Sequence, residues 1–334
     1  MHPLLHPRLI NSPFGDPGLL VNLFFEKRAM LFDAGEIGPL STREILKTSH
    51  VFISHTHMDH FIGFDRLLRL YLGRDKILHV YGPEGFLTHL EGKLAGYSWN
   101  LVEHYDTRLI LHATEVRPDC LISRQYPCNN KFIPGRPETR QAFDGILLKE
   151  PALRVSAVIL DHGIPCLGFS LEERFHVNIM KDKVMQLGLE IGPWLRNFKQ
   201  ALYRETDPSS EFTVSNKVGT PSHRSFALKE LADRIAVITP GQKVTYITDT
   251  GGDPSNLKQI IEFAAGSDHL FIEAAFLDED RHIAREKYHL TALQAGTIAR
   301  EANVRELTVF HFSPRYTGQG ERLEQEARAA WMGE

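Results

Sequence analysis

"FISHTHMDHFIGF" (residues 52–64) sets His55, His57, Asp59 and His60 within six positions, directly after an apolar run. On an extended backbone, alternate side chains share a face, so His55 and His57 point the same way. Asp59 and His60 fall in the turn that follows and can reach a second cation. Imidazole and carboxylate are ligands that zinc accepts, and iron and manganese take them too. The remaining question is whether the rest of the chain completes such a centre. His2, His6, His79, His89, His104, His112, His223 and His282 offer no comparable grouping.

Three later segments repeat the pattern of an apolar run ending in a metal-type side chain before a turn. "VILDHGIPC" brings His162, "VTYITDTGG" brings Asp249 and "LTVFHFSPRY" brings His311. Strand ends feeding turns are where loops converge on one site. An aspartate has two oxygens, so Asp249 can bridge two cations. One would then take His55, His57, His162 and Asp249, and the other Asp59, His60, Asp249 and His311, with a shared hydroxide completing both shells.

The surrounding pattern is mixed α/β. "GLLVNLFF", "RAMLFDAG", "HVFIS" and "KILHVYGP" are short apolar runs closed by turn residues, and further strands are expected at 107–113, 153–160, 243–248, 269–273 and 306–311. Phe64, Leu67, Leu68, Tyr71 and Leu72 recur at helical spacing, and helices are expected over "EGFLTHLEGKLAG", 255–265, 291–302 and 321–332. Both halves of the chain mix strand pairs with strand–helix alternation, which predicts two sheets packed together with helices outside.

Composition bounds the partners. The 334 residues are 42% hydrophobic and 24% charged, with a formal charge of −4. No apolar run approaches the roughly 20 residues of a membrane span, and the start does not resemble a signal peptide. A cytoplasmic protein is expected. The three cysteines lack CxxC spacing, which argues against a disulfide scaffold or a zinc ribbon. Against this balance, residues 174–204 carry six Lys/Arg (Arg174, Lys181, Lys183, Arg196, Lys199 and Arg204) and only two acids. Their composition alone reads as a solvated pair of surface helices.

Taken together, "HTHMDH", "LDHG", "TDTGG" and "FHFSPRY" in this order resemble the metallo-β-lactamase superfamily, and within it the ribonuclease Z branch. The resemblance covers about residues 18–318. It implies a four-layer αββα metallo-β-lactamase sandwich, treated as a single domain over 1–334, with residues 174–204 as an inserted, protruding basic arm. It also implies two divalent cations, zinc first with manganese or iron as alternatives, and removal of the 3′ trailer from precursor tRNA. "FIEAAF" resembles the family's HEATF segment and carries over Glu273. "YHLTALQAGTIAREA" resembles its HST segment and carries over His289. "LGLEIGPWLRNFKQAL" resembles the Gly-Pro motif of the tRNA-gripping arm. Met58, Ile272, Ala275 and Leu290 differ from the family's usual residues, and the stretch 113–145 has no match.

The resemblance implies catalytic roles for Asp59 as proton acceptor, His289 as proton donor to the leaving oxygen, and Glu273 as the group that fixes the His289 tautomer. Lys181, Lys183, Arg196 and Lys199 would meet RNA phosphates, and Arg315 beside His311 could face one or equally form a structural ion pair. A homodimer is implied by the family alone. The alternatives are a small-molecule hydrolase of the same superfamily, acting on a cyclic phosphodiester, lactone or thioester, and a binding protein with structural metals. A closed structural site needs only four ligands, whereas seven are available here. A small substrate has no use for a basic protrusion.

Overall fold

A mixed eight-stranded sheet carries the first histidine cluster. In the computed structural model, which describes residues 4–23, 26–135, 138–216 and 222–334, its strands run in spatial order β1 (Leu5–Leu9), β2 (Leu19–Leu23), β3 (Arg28–Phe32), β4 (Thr48–Phe52), β5 (Lys76–Pro83), β6 (Leu109–Val116), β7 (Cys120–Pro127) and β8 (Thr139–Ala142). β3 to β6 are parallel, and antiparallel strands flank them. His2, together with Phe24 and Phe25 of the first expected strand, lies outside the described residues.

β9 (Ile146–Lys149), β10 (Leu153–Asp161) and β11 (Pro165–Glu173) begin a second, six-stranded sheet. The chain then forms two small hairpin sheets. β12 (Phe175–Ile179) pairs with β15 (Ala236–Pro240), and β13 (Glu211–Asn216) pairs with β14 (Ser222–Ala227). β16 (Lys243–Ile247), β17 (His269–Glu273) and β18 (Glu306–Phe310) complete the second sheet as a parallel trio with β18 at its edge.

The two large sheets face each other through aromatic side chains. Phe169 of the second sheet lies 5.7 Å from both Phe32 and Phe52 of the first. Helices cover the outer faces. Phe64–Tyr71 and Phe86–Ala95 pack through Phe64, Leu67, Leu68, Phe86, Leu90 and Leu94 onto the first sheet. Pro254–Ala264, Ala292–Glu301 and Gly320–Met332 pack similarly on the second. The order is αββα. Helix starts obey local chemistry: Asp253 caps the amides of Ser255 and Asn256 with Pro254 behind it, and Thr291 with Gln294 forms a capping box.

The basic excursion is larger than its charge pattern predicts. Residues 172–242, with 148–154, form a compact unit distinct from the rest of the chain. Its own core comprises Val184, Leu189, Trp194, Phe198, Val214, Phe226, Leu228, Leu231 and Ile235. Residues 174–204 contribute one strand and two short helices, and 205–235 contribute the hairpin and helix that bury their apolar sides. Over 172–242 the sequence carries ten Lys/Arg against nine Asp/Glu, so the positive excess of residues 174–204 is offset by acids on either side of them.

Candidate metal centre and hydrolytic site

The HTHMDH turn is pressed against the end of β3. The amide of Ala34 donates to the carbonyl of His60, and that of Gly63 donates to Ala34. A Cβ at Gly35 would stand 2.2 Å from the Asp59 carbonyl, and one at Gly63 would stand 2.1 Å from the Gly35 carbonyl. Only glycine permits that approach. On the second sheet, buried Asn256 joins two ligand-bearing loops. Its amide nitrogen donates to the carbonyls of Asp161 and Gly251 and to the Thr250 hydroxyl, and its oxygen accepts from the Asp161 amide.

These loops bring seven expected ligands together. His55, His57, His162 and Asp249 form one group, and Asp59, His60 and His311 another. Asp249 spans the two. Its Oδ2 lies 3.6 Å from Nε2 of His55 and 3.4 Å from Nε2 of both His60 and His162, and its Oδ1 lies 2.8 Å from Nδ1 of His311. Asp59 Oδ2 lies 3.5 Å from His60 Nε2 and 3.4 Å from His311 Nε2. Ligands 2.0–2.1 Å from a tetrahedral zinc stand about 3.3–3.4 Å apart, close to these separations.

Two inward nitrogens lack hydrogen bonds. His55 Nε2 and His60 Nε2 are buried without one, an unfavourable state for buried polar atoms unless something outside the protein completes them. Outward nitrogens are anchored instead. His60 Nδ1 lies 2.9 Å from Asp33, and His162 Nδ1 donates to the Tyr288 carbonyl at 2.7 Å. This is the arrangement that presents the other nitrogen to a metal, and the residues fit divalent cations.

Electrostatics follow from the same crowding. Burial lowers the pKa of His55 to about 2, so that ring is neutral and its lone pair free. Burial also lowers His57, and neighbouring His162 adds to it. For His60, burial is outweighed by Asp249 and Asp33, which carry it to about 10. His311 is likewise raised by Asp249 despite its burial. In the cation-free protein these two rings hold protons that a cation must displace.

Beside the cluster, Glu273 is fully buried and His289 half-buried. Glu273 Oε2 accepts from His289 Nδ1 at 2.7 Å, while its Oε1 accepts the amides of Thr250 and Leu290. Burial works to raise the Glu273 carboxyl, but His289 holds it below its ordinary value. In return Glu273 raises His289 against burial. A cavity of about 420 Å³ opens over the site, lined by His57, Asp59, His162, Asp249, His289 and His311 among others.

Not every expected site residue belongs here. Arg315 is half-exposed and pairs with Asp280 at 3.7 Å, whose carboxylate also accepts the Tyr316 hydroxyl. It is absent from the cavity lining. Lys181, Lys183, Arg196 and Lys199 belong to the other compact unit. The first three are exposed, and Lys199 is half-buried with its pKa lowered by desolvation.

Asp33 was missed. Its buried carboxylate accepts the Ser54 amide (2.7 Å) and hydroxyl (2.8 Å) and the Tyr246 hydroxyl (3.0 Å), besides His60. "LFDAG" carries the same strand-end signal as "ITDTGG". Three site residues adopt left-handed backbone: Asp33 (φ 56°), Asp249 (φ 41°) and His311 (φ 59°). Such strain gathers where side-chain direction matters more than local comfort.

Comparison with known proteins points one way. A β-lactamase superfamily domain model matches residues 199–312. Ribonuclease Z of Deinococcus radiodurans is 30% identical over 94% of this chain and 91% of its own length. Ribonuclease Z of Pyrococcus horikoshii is 29% identical over 86% and 78%. Among solved structures, the metallo-β-lactamase fold protein YhfI from Bacillus subtilis aligns with a TM-score of 0.54 at 16% identity, covering 98% of this chain and 94% of that one. The short form of human tRNase Z aligns with a TM-score of 0.50 at 17%, covering 94% and 92%. These two likenesses speak to fold alone.

Proposed function

The chain belongs to the ribonuclease Z family, and from that premise we propose that it is a metal-dependent endoribonuclease that trims the 3′ end of precursor tRNA. The observation that carries the reading is the convergence of seven ligand side chains beneath an open cleft, with the Glu273–His289 pair at its edge.

In this proposal one cation would be held by His55, His57, His162 and Asp249, and the other by Asp59, His60, Asp249 and His311. The imidazole-rich set favours zinc, with manganese or iron as alternatives. When bound, the cations supply Lewis acidity toward a phosphoryl oxygen and acidify water near neutral pH. Asp59 stays ionised, since His311 and His60 outweigh burial and hold it to about 2, so it can accept the nucleophile's proton. With Nδ1 of His289 committed to Glu273, its Nε2 is left to deliver a proton to the departing oxygen. The exposed Lys181, Lys183 and Arg196, with Lys199, would take phosphates of the tRNA body. Arg315, already engaged by Asp280, is left out. Family membership supports cytoplasmic work as a homodimer, which light scattering would test.

The deciding experiment incubates purified protein of known metal content with a precursor tRNA, an unstructured RNA and bis(p-nitrophenyl) phosphate. Salt-sensitive cleavage of the precursor at one junction is expected, abolished by His55→Ala or Asp249→Ala with the fold retained. Hydrolysis of the small diester without any RNA binding would replace this reading with a small-molecule hydrolase.

A further inference from the structure

Of the twelve residues that line the cleft over the ligand cluster, Lys287 alone is a lysine or arginine. The others supply imidazoles, carboxylates, one hydroxyl and apolar surface. Lys287 is exposed and forms no ion pair among the described residues.

Its position is fixed by the backbone that orients the reacting groups. The Lys287 amide closes the helix Arg281–Glu286 onto Ile283, and the next residue, Tyr288, turns to φ 56°. That reversal lets the Tyr288 carbonyl accept from His162 and the His289 amide donate to Ala284 at 2.9 Å. Lys287 thus lies two residues from the proposed proton donor and lines the same cleft, which in the reading above would be the leaving-group side. Charge on the scissile phosphate would be met by the cations the cluster would hold, and no carboxylate among the described residues pairs with Lys287. What remains for it is a second anion further along the same strand.

We infer that Lys287 binds the phosphate next to the scissile one on the leaving-group side, so that the cleft prefers a polynucleotide to an isolated phosphodiester. This rests on the phosphodiesterase reading above. An exposed lysine that merely solvates the rim would show no such preference.

The test compares wild type, Lys287→Met and Lys287→Arg on an RNA oligomer and on bis(p-nitrophenyl) phosphate, which has a single phosphate. Anisotropy of a labelled oligomer with a methylphosphonate at the cleaved linkage measures binding against salt without any turnover. Lys287→Met should raise KM for the oligomer about tenfold, the scale of one charge-assisted hydrogen bond, and affect the small diester far less. It should also flatten the log–log salt dependence of binding by about 0.7, and Lys287→Arg should restore most of both. Equal losses on the two substrates, or an unchanged KM and salt slope, would overturn the inference. If wild type cleaves neither substrate, the phosphodiesterase reading fails on its own, while an unchanged slope in the binding arm still rules against Lys287.

Discussion

Replacing Asp33 with asparagine tests whether a residue that touches no cation governs the second half of the centre. Asp33 Oδ1 accepts the Ser54 amide, and Oδ2 accepts the Ser54 hydroxyl, the Tyr246 hydroxyl and His60 Nδ1. Asparagine is nearly the same shape and can keep its oxygen on the Ser54 amide. Its NH2 then faces three former donors. The two hydroxyls can rotate and accept, but His60 cannot rotate a proton away. Either the His60 contact is lost, or its proton moves to Nε2, the nitrogen that faces Asp59 and Asp249. Both outcomes damage one ligand of one cation. Losing such an outer partner typically costs 10–100-fold in metal affinity, roughly 1.4–2.7 kcal/mol. Competition against a chromophoric chelator should therefore show one of two cations weakened by that amount in Asp33→Asn, with circular dichroism unchanged. After extensive desalting, elemental analysis should fall from about two ions per chain toward one. Ser54→Ala leaves the Asp33–His60 contact intact and should alter affinity much less. Two cations retained at wild-type affinity in Asp33→Asn would refute the reasoning.

His289→Ala should lose about 10²–10⁴-fold on a substrate with a poor leaving group and far less on an activated aryl diester; equal losses would assign His289 to binding. In cation-free protein, His60 is raised from 6.5 to about 10, so its stabilising contribution is full below pH 6.5 and drains away as pH rises toward 10. Thermal unfolding in chelator should show stability falling over that interval, whereas the loaded protein, its His60 already deprotonated, should not; a gain in the cation-free form would contradict the assignment. Changing Lys181, Lys183 and Arg196 together to glutamine should raise KM for precursor tRNA and flatten its salt dependence by roughly 0.7–0.9 per lost phosphate contact. An effect on small diesters of the same size would instead make that unit a structural element.

His55, His162, Asp249 and His311 were legible as candidate ligands because each closes an apolar run, with His57, Asp59 and His60 following His55 in one motif. His162, Asp249 and His311 sit one or two residues beyond the point where a buried strand meets a turn, and that pattern is local in sequence. Glu273 and His289 were not readable that way. Glu273 ends β17 like the others, but its partner lies sixteen residues on, and only resemblance linked them. Asp33 escaped because an acid before Ala-Gly reads as an ordinary turn, and the hydroxyl that fixes it comes from Tyr246, 213 positions away. The excursion was cut short at 204 because charge marked its start but not its end. The apolar positions of 211–235 that seal its core are spread over a hairpin and a helix, and no charge signal runs through them. For Arg315 sequence position left a phosphate contact and a structural ion pair equally open, and the side chain lies 3.7 Å from Asp280.

The placement of β18 at the edge of its sheet would give two cations held in the centre unequal residence times. His311 follows a strand paired on one side only, to β17, whereas His55 and Asp249 follow interior strands bonded on both sides. Edge elements open at lower free energy than central ones. An ion held through His311 would therefore be expected to escape by fraying of that strand, whereas its neighbour would need a rarer, larger opening. Isotope exchange should then be biphasic, with the fast phase belonging to the ion that shares Asp59, His60 and His311. A cell short of metal would strip the enzyme in that order, leaving a half-loaded form that keeps its fold and refills without refolding.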